Sequence, residues 1–302
     1  MQLKELARRF GVVLAAFGLS FSLVGSAMAD DSVLRYAYGA DSDPLNITVN
    51  GRAVGDAEVG KGNFGITEYG AGIEYKWFSM SYSRADYNWS DVGGLPFGNG
   101  SDDPWDSLQT LTFGAKADGS FTDTLGWFAG GTVISGFEED MDGSFSLFYR
   151  GGITYRFSDE WRASLGLMGI ASQLNPMAAP VIGLDWRSPR DLGWSAGLGI
   201  PATFVNYRFN DWAALRGAAR WDRSQHRLAD DSPVSEKGYV QQSSVTTGVY
   251  LDLSPLERLT VTVGAEYYLD REMKLYDEDR DEIDTWDVDN ALGGVLRVRY
   301  SF

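Results

Sequence analysis

The chain has 302 residues, of which 44% are apolar and 14% aromatic, and it contains no cysteine and one histidine. This composition excludes disulfide scaffolds, thiol catalysis and multi-histidine metal sites. The formal charge of −16 excludes nucleic acid as a partner, because phosphate binding requires a clustered excess of basic side chains.

The first segment has the order of a secretory signal peptide. Three basic residues precede the apolar run 11–25, and the small-residue sequence Ala27-Met28-Ala29 follows it. The apolar run is shorter than the roughly 20 residues of a membrane-spanning helix. We therefore predict a signal peptide at 1–29 and an exported domain at 30–302. No cysteine follows the predicted cleavage site, so a lipoprotein anchor is excluded.

The exported domain shows repeated pairs of alternating strands. In 239–253, apolar and small polar side chains alternate with period two, the turn 254–258 follows, and the alternation resumes over 259–269. A similar pair occurs at 145–157 and 160–171. Each stretch is long enough to cross a membrane as a tilted strand, and the turns between them are short.

Applied to the whole chain, this pattern predicts an all-β fold. Strands are expected at 33–39, 64–76, 78–88, 107–117, 124–136, 145–157, 160–171, 179–187, 191–200, 203–209, 212–221, 239–253, 259–270 and 289–302. Short connections alternate with mostly longer ones at 40–63, 89–106, 137–144, 172–178, 201–202, 222–238 and 271–288. The prediction is a transmembrane antiparallel up-and-down β-barrel of about 14 strands, with 12 as the alternative count.

The two faces of the predicted strands differ in a way that disfavours a soluble β-sandwich. One face is apolar, with tyrosine and tryptophan near the strand ends, as in the interfacial belts of membrane barrels. The other face carries many arginines, which one dry core cannot bury without severe desolvation cost but a wet lumen accommodates. We predict that the lumen is lined by Arg150, Arg156, Arg162, Arg208, Arg216, Arg220, Arg297 and Arg299.

The last strand carries the most specific signal. Phe302 and every second residue before it are apolar or aromatic, namely Leu296, Val298 and Tyr300. Here the chain resembles Gram-negative outer-membrane β-barrel proteins. The resemblance implies localisation to the outer membrane, contact with its lipids, and a role for these four residues as the signal read by the barrel-assembly machinery. The stretch 180–210 looks like uncharacterised outer-membrane barrels of similar size, and this likeness brings no activity with it.

Few residues suggest chemistry. His226 lies at the start of the predicted loop 222–238, with Ser224 two residues away, and no third catalytic partner is specified. We predict no catalytic residues, no metal site and no cofactor, and keep a lipid-modifying enzyme that uses His226 and Ser224 as an alternative. The acidic run 277–284 lacks the glycine and glutamate spacing of an EF-hand loop. Weak binding of divalent cations there stays open.

Charge separates along the predicted topology. The five predicted loops 40–63, 89–106, 137–144, 222–238 and 270–288 carry 25 carboxylates and 8 basic residues. An acidic rim over a basic interior predicts a passive, porin-like channel that prefers small anionic solutes. The alternative is a plugged structural or adhesive barrel in which Arg150, Arg156 and Arg162 pair with Glu68, Glu74 and Glu266.

Overall fold

A computed structural model describes residues 45–188 and 192–302. The predicted signal peptide and the predicted strand 33–39 lie outside these residues. No helix within the two described ranges is long and apolar enough to cross a membrane. The strands are β1 Asn46–Val59, β2 Gly62–Tyr75, β3 Phe78–Ser90, β4 Ser107–Ser120, β5 Leu125–Phe137, β6 Phe145–Arg156, β7 Trp161–Ala171, β8 Met177–Arg187, β9 Gly193–Ile200, β10 Ala202–Asn210, β11 Ala213–Arg227, β12 Tyr239–Leu256, β13 Leu259–Tyr276, β14 Glu282–Val288 and β15 Ala291–Ser301.

These strands close into an antiparallel barrel. Each strand from β1 to β13 pairs with its chain neighbours, and the ring closes where β1 pairs with β15, from Asn46 opposite Ser301 to Val54 opposite Gly293. The short strand β14 pairs with the upper part of β13, whereas β15 pairs with the lower part. Because β14 and β15 occupy successive parts of one wall position, the barrel has 14 strands. This confirms the fold class predicted from the alternation.

Three predicted connections are wrong in their bounds. Residues 46–59 form β1 rather than part of the loop 40–63. β11 continues through His226 to Arg227, so the following connection is 228–238. The predicted loop 271–288 is instead a hairpin extension, because β13 runs to Tyr276 and β14 begins at Glu282. In all three places, polar residues that the sequence pattern assigns to loops lie in strands.

The outer surface of the barrel is apolar. Outward positions on successive strands carry large exposed side chains such as Ile73, Met80, Val133, Leu165 and Val249. A ring of exposed aromatics surrounds the barrel end at which β1 begins and β15 ends, which we call the turn end. Its members are Tyr75, Trp77, Phe78, Phe121, Tyr155, Phe157, Trp161, Trp194, Phe209, Trp212, Tyr300 and Phe302. An apolar wall that ends in an aromatic girdle is the surface of a membrane-spanning barrel.

The opposite end, which we call the loop end, is narrower. Arg227 of β11 pairs in parallel register with Phe137 of β5, although five strands separate them in the ring. Asp289 donates its backbone N–H to the carbonyl of Glu58 at 2.9 Å, which joins β14 to β1. Strands β1–β5 and β11–β14 therefore continue as a smaller upper ring above β6–β10. The barrel interior is divided into a wide lower half and a narrow upper half.

Candidate functional site

A cavity of about 230 Å³ occupies the wide half of the barrel. Its wall is built from inward positions of nearly every strand from β1 to β11 and of β15. On β8 and β9 much of this wall is glycine. A Cβ atom added to Gly197 would lie 2.3 Å from the Phe204 ring and 2.8 Å from an Asp185 carboxylate oxygen. Glycine at this position leaves space for the Phe204 and Asp185 side chains against the wall. We call this cavity the chamber.

The chamber wall is basic. Its charged residues are the five cations Lys116, Arg150, Arg220, Arg297 and Arg299 and the two carboxylates Glu74 and Asp185. Glu74 contacts the Lys116 ammonium and lies 3.6 Å from a terminal nitrogen of Arg299. The Arg299 Nε donates to Asn46 Oδ1 at 3.2 Å. Cations exceed carboxylates in the lining by three, and one of these cations, Arg220, is ion-paired with Asp222 and Glu266, which lie outside the lining.

A cluster of charged and phenolic side chains lies above the chamber, on the inner wall formed by the nearby strands β11, β12, β13, β1 and β2. The Glu266 carboxylate lies 3.0 Å from Arg52 Nε and 3.2 Å from a terminal nitrogen of Arg220. It also accepts hydrogen bonds from the hydroxyls of Tyr250 and Tyr268. Arg52 in turn lies 3.2 Å from Glu68. We call Arg52, Glu68, Arg220, Tyr250, Glu266 and Tyr268 the septum.

The septum is a buried structure in which each ion has a counterion. Glu266 and Tyr250 are almost completely inaccessible, and Arg220 is also buried. The plugged alternative pairs the carboxylates Glu68, Glu74 and Glu266 with Arg150, Arg156 and Arg162. In the structure these carboxylates contact Arg52, Arg299 and Arg220 respectively. Arg52 was missed because its strand had been assigned to a loop. The interior is ion-paired at mid-height rather than an open arginine ladder.

The eight arginines predicted to line the lumen do not lie together. Arg150, Arg220, Arg297 and Arg299 line the chamber. Arg216 is buried, with its guanidinium 3.1 Å from Asp252 and 4.5 Å from the Tyr250 ring centre. Arg156 and Arg208 are exposed near the turn end, where they donate to backbone carbonyls. Arg162 is half-buried and faces Asp185 across the β7–β8 pair.

A second cavity, of about 140 Å³, lies above the septum. His226 lines it and is buried, so its predicted place in an external loop is wrong. The imidazole Nε2 is 3.0 Å from Thr110 Oγ1, and its Nδ1 is buried with no hydrogen-bond partner among the described residues. Ser224 lines the same cavity. Both side chains face the interior, whereas an enzyme acting on the acyl chains of membrane lipid needs its nucleophile on the outside.

An apolar cluster fills the rest of the narrow half. Trp105, Leu108, Leu228 and Val240 are among its most deeply buried members. The Trp89 indole N–H donates to the Trp105 carbonyl at 2.8 Å, which holds the 91–106 connection inside the ring. The sequence pattern did not indicate that these residues are buried, because Trp105 and Leu228 fall in predicted loops. Their burial follows from the contact between β5 and β11.

The junction of β5 and β11 is held by Glu138. Its backbone N–H donates to the Arg227 carbonyl at 2.9 Å, and its carboxylate accepts the Ala229 N–H at 2.8 Å. Burial raises the pKa of the Glu138 carboxyl above its ordinary value, an effect that nearby acids add to and the Ala229 hydrogen bond opposes. This junction joins the two sides of the loop end.

The loop-end connections are acidic within the bounds that the structure gives them. The connections 60–61, 91–106, 138–144, 172–176, 201, 228–238 and 277–281 carry 15 carboxylates and 3 basic residues. Within 45–188 and 192–302, no group of three or more potential ligand side chains is placed to hold a metal ion.

No protein-family model and no curated protein matches the chain. Among solved structures, it is similar to the toluene transporter TbuX of Ralstonia pickettii, with 9% identity, 87% of this chain and 91% of the other covered, and a TM-score of 0.40. It is similar to the toluene transporter TodX of Pseudomonas putida, with 10% identity, coverage of 94% and 95%, and a TM-score of 0.36. It is also similar to the KdgM porin, with 9% identity, coverage of 84% and 99%, and a TM-score of 0.35. At these values the assignment as a barrel rests on its own strand pairing.

Proposed function

We propose that this chain is an outer-membrane channel for small anionic solutes, in which the chamber is the solute path and the septum is its constriction. The observation that carries the proposal is the excess of cations over carboxylates in the chamber wall. A positive, water-accessible lining raises the local concentration of anions and lowers that of cations. The apolar outer wall and the aromatic girdle support insertion into a membrane.

The acidic loop end acts on the same solutes before they enter. Loop carboxylates at the mouth oppose anion entry, but salt screens them over about 8 Å at physiological ionic strength. The chamber lies below the septum, apart from these carboxylates, and its own charges face the solute directly. Selectivity is therefore set mainly by the chamber, and the loops make it depend on salt concentration.

Neutralising the chamber should reduce anion preference. Recorded in planar bilayers under a salt gradient, the double variant Arg150→Gln with Arg297→Gln should shift the reversal potential toward cations, because two cations leave the lining. The matched control is Arg84→Gln, whose arginine lies on β3 next to Asp86 and outside the chamber lining. Equal reversal potentials for the wild type and the double variant would contradict the assignment of the chamber as the solute path.

A plugged structural barrel is the second candidate, and the apolar cluster at the loop end favours it. Several of its side chains, including Leu228 and Val240, are completely buried, so this part of the interior is dry. In such a barrel the septum never opens, and the chamber holds water but passes no solute. Conductance measurements distinguish the two candidates, because a permanently plugged barrel conducts no ions.

We further propose that the outward side chains of the last strand act in assembly. The outer face at the end of the chain exposes Leu296, Val298, Tyr300 and Phe302. The ring centres of Tyr300 and Phe302 are 4.9 Å apart. Deleting Phe302 should lower the amount of heat-modifiable barrel in outer membranes, because the girdle and the surface offered to the assembly machinery lose an aromatic ring. The control is Ser301→Ala, which leaves the outward face intact. Unchanged levels after the deletion would contradict this role.

A further inference from the structure

We infer that the cavity above the septum is a binding site for a small carboxylate with an apolar body. The inference is independent of conduction, because it concerns a separate cavity on the other side of the septum. It rests on unpartnered polar atoms, on the local balance of charge and on the apolar wall that faces them.

Three buried polar atoms at this cavity have no hydrogen-bond partner in the described residues: Arg223 Nε, Gln242 Nε2 and His226 Nδ1. The first two are obligate donors. The orientation of the Gln242 amide is fixed, because its oxygen accepts the Tyr87 hydroxyl at 2.8 Å. The imidazole becomes a third donor when the Thr110 hydroxyl donates to its Nε2. A molecule that satisfies these groups must supply hydrogen-bond acceptors.

The charge balance makes that acceptor an anion. Arg223 donates to the Gln241 side chain, and Arg271 donates to the Asp289 carbonyl at 2.9 Å. Neither guanidinium forms an ion pair in the part of the chain that the structure describes. The carboxylates that line the cavity have cations of their own, since Glu68 contacts Arg52, Asp222 contacts Arg220, and Glu272 contacts Lys274. The two guanidiniums beside this cavity therefore have no carboxylate in direct contact, although Glu272 and Asp289 act on them electrostatically from a greater distance.

One wall of the cavity is apolar, and it favours an organic ligand over an inorganic oxyanion. Phe64, Leu108, Met273 and Val288 line it, and all four are buried. The Arg271 guanidinium lies 5.3 Å from the centre of the Phe64 ring, so the cationic and apolar walls adjoin. The volume suits one small organic molecule or on the order of ten waters. A carboxylate with a ring or short alkyl body matches both walls.

The test compares benzoate with its neutral analogue benzyl alcohol by calorimetric titration of the folded barrel in detergent micelles. We expect benzoate to bind at least about tenfold more tightly, because only the carboxylate forms charge-assisted hydrogen bonds with the guanidiniums. Arg223→Gln and Arg271→Gln should each weaken benzoate binding by a similar factor. Arg84→Gln, whose arginine lines neither cavity, should leave it unchanged.

Each contrary result overturns the inference. Equal affinity for benzoate and benzyl alcohol would show that charge is not recognised, and the absence of benzoate binding would show that the cavity holds water only. Loss of binding in Arg297→Gln with none in Arg271→Gln would place the ligand in the chamber. If Arg223→Gln fails to fold, as judged by heat modifiability, the site is still tested by Arg271→Gln and by the comparison of the two ligands on the wild type. Inorganic phosphate binding as tightly as benzoate would contradict the role of the apolar wall.

Discussion

Replacing Glu266 with Gln should lower the free energy of unfolding by about 3–5 kcal/mol, the range observed when one member of a buried ion pair is removed. Glu266 is the shared acceptor of the septum, and its loss leaves the guanidiniums of Arg52 and Arg220 with one carboxylate partner fewer each. The hydroxyls of Tyr250 and Tyr268 also lose a charged acceptor. The measurement is urea-induced unfolding in lipid vesicles, followed by tryptophan fluorescence.

The matched control for this substitution is Glu257→Gln, which makes the same chemical change at an exposed turn between β12 and β13. It should change the free energy of unfolding by less than about 0.5 kcal/mol. Similar effects at both positions would show that the septum does not hold the barrel walls together.

Placing a charge on the outer wall should also be costly. Val249 lies in the middle of β12 with 56% of its surface exposed, between Gly217 of β11 and Ala265 of β13. If this surface faces lipid, Val249→Arg should destabilise the folded barrel by about 2–4 kcal/mol near the bilayer midplane. The same vesicle-based unfolding measurement checks the value.

The inward control is Ser79→Arg, because Ser79 lines the chamber and lies opposite Glu74 in the β2–β3 pair. An arginine there enters a wet, partly compensated environment, so the expected cost is much smaller. Thr246 is a poor inward control, since it is almost fully buried and donates to Asp222. Equal costs for Val249→Arg and Ser79→Arg would contradict the assignment of the outer wall to lipid.

The membrane-spanning part of the fold could be predicted from the sequence because its two faces differ chemically. On β12 and β13 one side contacts the apolar exterior and the other the polar interior, so side-chain polarity alternates with period two. The alternation fails in the narrow half of the barrel. There, β1 contains a register shift between Val54 and Ala57 and buries both, so the period is interrupted.

The interior site was only partly predictable for a related reason. Inward-facing charges were visible as arginines and glutamates, but which of them pair depends on how strands that are distant in the chain are placed beside each other, as where Glu266 of β13 contacts Arg52 of β1. The contact between β5 and β11 buries His226 at the loop end. It arises from residues far apart in the chain, and no local pattern in β5 or β11 signals it.

The recording of single wild-type barrels in planar bilayers under a salt gradient tests the central claim most directly. A solute path through the chamber predicts discrete conductance steps and a reversal potential of the sign given by anion preference. This anion preference should weaken as the salt concentration rises, because the screening length shortens to about 3 Å at 1 M. Insertion of folded barrel without any conductance, or conductance that prefers cations at every salt concentration, would contradict an anion channel through the chamber.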